Sequence, residues 1–281
     1  VREIDVKKVE EVVRDLCIKA NIELGEDVIE AFEAALEKER FPRAREVLER
    51  LLENARLARE EMLPICQDTG IVVVILEVPQ DVIFVGGDLE EAINMGVRIG
   101  YKEGYLRNSI VKDPFHRVNT GDNTPAIIHT KITKKGERAV VKVVVKGGGS
   151  ENMGGTRMLN PGDGMDRVKS YIVSHIRNVA PFSCPPLIVG VGIGGTLDAC
   201  ASAAKEALLR RIGPPNPDPE MDRFEREVCD EINRLGIGPA GLGGRTTALS
   251  VHIHLLPTHI ASLPVAISVG CHANRHKEAT I

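Results

Sequence analysis

Tryptophan is absent, and 3 Tyr with 6 Phe bring the aromatic share to only 3%. A surface on which successive bases stack needs more rings than this, so a single-stranded nucleic acid is not the expected ligand. A basic surplus is lacking as well: 36 Lys and Arg stand against 40 Asp and Glu, a net charge of −4. Contact with a phosphate backbone draws on the opposite balance, and no nucleic-acid partner is expected. No apolar run reaches the ~20 residues that span a bilayer, so no membrane partner is expected either. The opening VREIDVKKVEEVV is a charged helical pattern without an apolar signal core, and the expected location is cytoplasmic. Internal repeats, low-complexity tracts and linkers long enough to separate independent domains are also missing. The 6 Cys in 281 residues include no C-x-x-C pair and are too sparse for a disulfide framework, so they read as thiols or metal ligands.

What is present is an aliphatic, globular composition, 43% hydrophobic and 27% charged. Residues 4–62 repeat apolar side chains at three- and four-residue steps, as in Val6, Val9, Val13, Leu16 and again Val28, Phe32, Ala35. This periodicity predicts helices, broken near Gly25 and at Phe41-Pro42. Beyond Pro64 the pattern predicts strands at 71–78 and 82–85 and a helix at 89–100. Strands at 126–132 and 139–145, joined across Lys134-Lys135-Gly136, read as a hairpin. Helices are predicted at 165–179, 197–211 and 221–235, and strands at 187–191, 248–255 and 264–269. The expected fold class is α+β (mixed α/β) in a single domain, residues 1–281: a helical leader, residues 1–62, on a mixed β-sheet body, residues 63–281, flanked by helices.

The cysteines divide by context. Cys17, Cys200 and Cys229 lie inside helical patterns and read as small helix-face residues. Cys66, Cys184 and Cys271 sit at breaks beside strands, in Pro-Ile-Cys-Gln-Asp-Thr-Gly, Ser-Cys-Pro-Pro and Val-Gly-Cys-His. Three thiolates aimed from such breaks suit zinc, a nucleophilic site or three corners of an iron–sulfur cube, and spacing does not choose between these and separate buried thiols. Two glycine-rich stretches, residues 146–155 and 190–196, let backbone N–H groups approach an anion. The second invites a dinucleotide reading but lacks the following strand with an acidic residue about 20 positions on. Its glycines equally suit tight helix–strand packing. Arg107, in a polar loop, reads either as a bidentate carboxylate clamp or as a plain surface arginine. His252 and His254 share one strand face by alternation, and His259 follows after Pro257-Thr258.

Taken together, Pro64-Ile65-Cys66-Gln67-Asp68-Thr69-Gly70, Tyr105-Leu106-Arg107-Asn108-Ser109, Gly147-Gly148-Gly149-Ser150-Glu151-Asn152, Cys184-Pro185-Pro186 with the glycine-rich run that follows, and Gly241-Leu242-Gly243-Gly244 resemble class I fumarate hydratases and the related two-subunit L-tartrate dehydratases. The resemblance runs from the helical leader to Cys271 and matches the α subunit, or amino-terminal half. It implies a [4Fe-4S] cluster held by Cys66, Cys184 and Cys271, with the fourth iron open to substrate. It also implies Asp68 as a catalytic residue, substrate contacts from Gln67, Arg107, Gly147, Gly148, Gly149 and His259, and a general base on a separate β subunit, in an α2β2 assembly. The implied reaction is reversible hydration of fumarate to (S)-malate; L-tartrate, also a C4 dicarboxylate, is the alternative substrate. Two further readings belong to other classes: a metal-stabilised, non-catalytic binding protein, and a nicotinamide enzyme at residues 190–196.

Overall fold

A computed structural model describes residues 2–281. The chain opens with β1 (Arg2–Asp5) and three helices, α1 (Val6–Ile22), α2 (Glu26–Lys38) and α3 (Pro42–Glu60). Next come β2 (Ile71–Pro79), β3 (Val82–Val85), α4 (Leu89–Glu103), β4 (Ile127–Thr133), β5 (Val140–Lys146) and a short α5 (Gly148–Glu151). The remainder is β6 (Gly155–Leu159), α6 (Gly164–Val179), β7 (Leu187–Ile193), α7 (Leu197–Ala207), α8 (Pro219–Arg234), β8 (Ala248–Leu255), β9 (Leu263–Gly270) and β10 (Arg275–Thr280). Local chemistry sets the early breaks. Asp5 caps α1 by accepting the Lys7 N–H at 2.8 Å, Gly25 precedes α2, and Pro42 opens α3 where a missing N–H costs nothing. The mixture of helices and mixed sheets is the expected α+β class.

The chain forms two compact units from interleaved segments. Residues 2–24, Ala55–Gly148 and Arg275–Ile281 make the first, and Gly25–Asn54 with Gly149–Asn274 make the second. The leader of residues 1–62 is therefore shared between the units, with α1 in the first and α2 in the second.

In the first unit a four-stranded sheet runs β10-β5-β2-β4, with β2 parallel to β4 and antiparallel to β5, and β5 antiparallel to β10. A small parallel pair, β1 and β3, stands apart from it. Val72, Val74 and Leu76 of β2 and Val141, Val143 and Val145 of β5 pack with Val9, Val13 and Leu16 of α1 and Ile93 and Val97 of α4. Removing one of these fully buried aliphatic chains, as in Ile93→Ala, costs about 2–5 kcal/mol.

The expected hairpin does not form: β4 and β5 flank β2 instead of pairing with each other. The reason is burial. Val73, Val74 and Ile75 of β2 are all buried, so both its neighbours are recruited to this apolar centre, and the Lys134-Lys135-Gly136 link has to cross it.

The second unit carries a sheet of order β6-β9-β7-β8, with β7 parallel to β8 and antiparallel to β9, and β9 antiparallel to β6. This repeats the plan of the first sheet. A strand crosses to a parallel neighbour, a third strand lies antiparallel on its other flank, and a fourth lies outside that. The fourth strands are exchanged along the chain: β6 follows β5 yet joins the second sheet, and β10 follows β9 yet joins the first. On one face of the second sheet Val189, Val191, Val265 and Ile267 meet Ile172 and Ile176 of α6 and Phe224 and Val228 of α8. The other face is made for close approach. A Cβ on Gly190 would stand 2.2 Å from the Ala204 carbonyl oxygen, and one on Gly192 would stand 2.1 Å from that of Cys200. Helix α7 thus lies almost on the strand backbone. It ends at Ala207, short of the expected residue 211, where i→i+3 bonds from Leu208 and Leu209 tighten the turn. Among the described residues no helix is long and apolar enough to cross a membrane.

Candidate active site

Strand direction gathers the first unit's motifs. Strands β2 and β4 begin, β5 ends and β10 begins at the same end of the sheet, because Ile71 pairs with Lys146, Val73 with Ile127 and Arg275 with Val145. The Cys66-Gln67-Asp68-Thr69-Gly70 loop enters β2 there, and Lys146-Gly147-Gly148 leaves β5 beside it. Gly70 has φ +64, and a Cβ on it would lie 2.5 Å from the Lys146 carbonyl oxygen, so both its conformation and the contact demand glycine.

Asp68 is the best-anchored side chain of this end. One carboxylate oxygen accepts the Gly70 N–H at 3.0 Å and the other the Gly148 N–H at 2.7 Å. Its main-chain carbonyl accepts from Arg275 Nη1 at 2.6 Å, and the same nitrogen donates to Asn21 Oδ1 at 3.1 Å. Buried Tyr101 donates its hydroxyl to the Thr69 carbonyl, and desolvation holds that phenol protonated, far above its ordinary range. Asn123, fully buried at φ +60, donates to the Gly70 carbonyl at 3.1 Å and accepts the Ser109 N–H at 2.7 Å.

These bonds join the loop to the segment carrying Arg107. Thr69 Oγ1 donates to the Arg107 carbonyl at 2.8 Å, which fixes the backbone and leaves the guanidinium exposed. Cys66 is half-buried with its thiol 3.4 Å from the amide oxygen of exposed Gln67. Cys66, Gln67, Asp68, Arg107, Gly147 and Gly148 therefore belong to one strand end. Arg275, Asn21, Tyr101 and Asn123 are additions that sequence reading did not single out. The available signal for Arg275 was its place four residues after Cys271.

In the second unit the equivalent end holds the other two selected cysteines. Ile188 pairs with Gly270, so the loop before β7 and the turn after β9 lie side by side. Cys184 sits exposed at φ +51 before β7, Cys271 is half-buried just after β9, and the His272 N–H donates to the Cys184 carbonyl at 3.2 Å. Gly149 begins the segment leading to β6, whose first residue pairs with Ile267 midway along β9.

His259 lies elsewhere. It is exposed on the loop between β8 and β9, beside the far end of β7, where its Nδ1 accepts the Ala261 N–H at 3.1 Å. The length of β9, on the order of 25 Å, separates it from Cys271. His259, expected as a substrate contact, therefore stands at the opposite end of this sheet from Cys271. Residues 190–196 end on that far side too. There Gly190 and Gly192 serve the α7 contact and Gly194 crowds the Leu256 carbonyl, its added Cβ falling at 2.1 Å, which answers the dinucleotide reading with packing. His252 is buried, with Nδ1 donating to the Ala207 carbonyl at 3.1 Å, and burial lowers its pKa to about 4.

The remaining cysteines are inert by environment. Burial drives the Cys17 and Cys200 thiols upward and raises Cys229 to about 12, which disfavours the thiolate that metal ligation needs. Among the described residues no three His, Cys, Asp or Glu side chains, the three strand-end cysteines included, are grouped to hold a single metal ion.

Within the first unit, this α+β chain thus presents a half-buried thiol two residues from a carboxylate anchored by backbone N–H groups. The chain belongs to the fumarate hydratase (Fumerase) family, which it matches over residues 10–280. It is 39% identical to a Methanocaldococcus jannaschii protein named "Putative L(+)-tartrate dehydratase subunit alpha", over 95% of each chain. It is 30% identical to the L(+)-tartrate dehydratase subunit alpha of Escherichia coli strain UTI89, over 96% of this chain and 89% of that one. The Shigella sonnei subunit of the same name is 29% identical over the same shares.

Proposed function

We propose that this chain is the α subunit of a two-subunit iron–sulfur hydro-lyase that removes water from L(+)-tartrate. The expected substrate, fumarate, gives way here because the relatives named above are tartrate dehydratase subunits. Fumarate hydration stays as the second reading, favoured by the family's own description. The observation that carries the proposal is the Asp68 carboxylate, held by two backbone N–H groups two residues from a half-buried cysteine.

Cys66, Cys184 and Cys271 are the proposed ligands of a [4Fe-4S] cluster. They fit it in donor chemistry, being soft thiols at strand ends outside the packed cores, whereas Cys17 and Cys200 are buried in helix contacts and half-buried Cys229 packs against the second unit's core. When bound, such a cluster supplies a Lewis-acidic iron for a hydroxyl and a carboxylate. The protein residues supply the remainder. Arg107, exposed on a pinned backbone, grips a substrate carboxylate with its planar fork. The Gly148 N–H is already committed to Asp68, so backbone donation to the dianion passes to Gly149. Asp68, both oxygens already accepting hydrogen bonds, is held as an acceptor that orients the departing hydroxyl and its proton. Gln67, exposed beside Cys66, completes the polar rim. A separate β subunit supplies the general base, with two copies of each chain in the assembly.

Iron and acid-labile sulfide, measured after anaerobic purification, test the assignment. The expected result is close to four of each per chain, as a [4Fe-4S] cluster requires, lost in Cys66→Ser, Cys184→Ser and Cys271→Ser alike. Unchanged content in any one of the three removes that ligand. Comparing kcat/KM for L(+)-tartrate with that for (S)-malate in the complete enzyme decides the substrate, and a faster malate reaction overturns the tartrate reading.

A further inference from the structure

We infer that Arg275 is a positioning residue for Asp68, acting on the reaction through the main chain that carries the carboxylate. The inference rests on the reading of Asp68 given above and adds a residue to it. Arg275 opens β10 opposite Val145, so it emerges where the end of β5 meets the loop entering β2. Its side chain is buried, with the whole residue only 3% exposed. A guanidinium taken out of water needs acceptors and a compensating charge. The acceptors are the Asp68 carbonyl at 2.6 Å and Asn21 Oδ1 at 3.1 Å, both bound by Nη1. Nε is buried and finds no partner among the described residues, so the hydrogen bonds that hold this guanidinium run through Nη1.

Gly147 shows how near the Asp68 carboxylate comes to this side chain. A Cβ at that residue would stand 3.0 Å from Asp68 Oδ2 and 3.2 Å from Arg275 Nη2. The carboxylate and the guanidinium therefore crowd the same point, and a glycine keeps it open for them. Arg275 fixes the main chain at Asp68, and the N–H groups of Gly70 and Gly148 then fix the two carboxylate oxygens. Asn21 holds the guanidinium from behind: its Nδ2 donates to the Cys17 carbonyl within α1 at 2.9 Å, so the anchor is braced against a helix. Lysine cannot reproduce the arrangement. An ammonium is a point charge, whereas the fork reaches Asn21 and the Asp68 carbonyl while its second nitrogen stays beside the carboxylate.

The test uses the complete enzyme, with its partner chain, and L(+)-tartrate or whichever C4 substrate turns over faster. Arg275→Lys is expected to lower kcat by about 10- to 100-fold with KM changed less than about threefold, as misplacing a catalytic group does. In the Asp68→Asn background the same substitution should remove no more than about a further twofold, because its route to the reaction is already gone. Amide exchange gives a reading independent of turnover. Gly70 and Gly148 should exchange at least about tenfold faster in Arg275→Lys, while the Val73 and Val74 amides of β2 keep their protection. Losses that add fully in the double variant, unchanged exchange at Gly148, or protection lost throughout β2 would each overturn the inference. Should Asp68→Asn alone leave kcat intact, the functional reading of Asp68 fails, and the exchange data still judge whether Arg275 anchors the loop.

Discussion

Loops at the equivalent ends of the two sheets are held in place by different means. In the first unit they hang on side chains: Tyr101 on the Thr69 carbonyl, Asn123 on Gly70, Arg275 on Asp68, and Asp68 on Gly70 and Gly148. In the second, backbone bonds join the side-chain ones, with the His272 N–H on Cys184, the Ala240 N–H on Pro185 and the Asn233 side chain on Thr247 and Ala248, and glycines let α7 lie against β7. One plan of strands thus supports a polar, charge-bearing end with one thiol and an end with two. Glycine means different things in the two units: room for a carboxylate and a guanidinium at Gly147, contact between backbones at Gly190 and Gly192.

Substitutions can sharpen or break that contrast. The largest effect is expected from Asp68→Asn, which should cut kcat by about 10²- to 10⁴-fold in steady-state assays while the protein stays folded. If turnover survives, the polar end is structural only. Next is Gly192→Ala, whose new methyl would stand 2.1 Å from a carbonyl oxygen of α7. Urea denaturation should show a loss of about 3 kcal/mol, the upper range for overpacking, and a negligible loss would mean that α7 is not seated against β7.

His252 tests the second unit through pH. Its native pKa is lowered to about 4 by burial, first of all, and by Arg210, whereas the unfolded value is about 6.5. Between these values the unfolded chain binds a proton that the native state refuses. Stability should therefore be full above about pH 6.5 and fall as pH drops toward 4, by a contribution on the order of 3 kcal/mol. In His252→Gln the urea midpoint should fall less steeply across that window. Arg107→Lys is smaller: KM should rise about tenfold with stability changed by less than about 0.5 kcal/mol, because the guanidinium is exposed and its fork is what lysine lacks. Smallest is Gly148→Ala, whose added Cβ meets only Asp68 Oδ2, at 3.8 Å. Thermal unfolding should register a change within about 0.5 kcal/mol, and a large loss would show that glycines in the two units are alike after all.

Much of this could be read without coordinates because it is local. The three-and-four periodicity of α1 to α3, the apolar runs of β2 and β7, and the separation of strand-end cysteines from helix-face cysteines all follow from neighbours in the chain. The misses share one cause. Strand β10, Arg-His-Lys-Glu-Ala-Thr, has no apolar alternation and becomes a strand because β5 offers it an edge. Strand β6 is five residues long and opens on glycine, and β9 recruits it in the same way. The hairpin expected between β4 and β5 had correct strands and a plausible turn, but β2, buried on both faces, stands between them.

The sequence by itself determined the helices, most strands, which cysteines were available and that Asp68 stands beside one of them, since these depend on contacts within a few residues. Only the tertiary structure decided that β2 lies between β4 and β5, that β6 and β10 change sheets, that His259 is a strand's length from Cys271, and that Arg275 reaches Asp68. Most of those are hydrogen-bond or burial choices made between residues far apart in the chain, 207 positions in the case of Arg275 and Asp68.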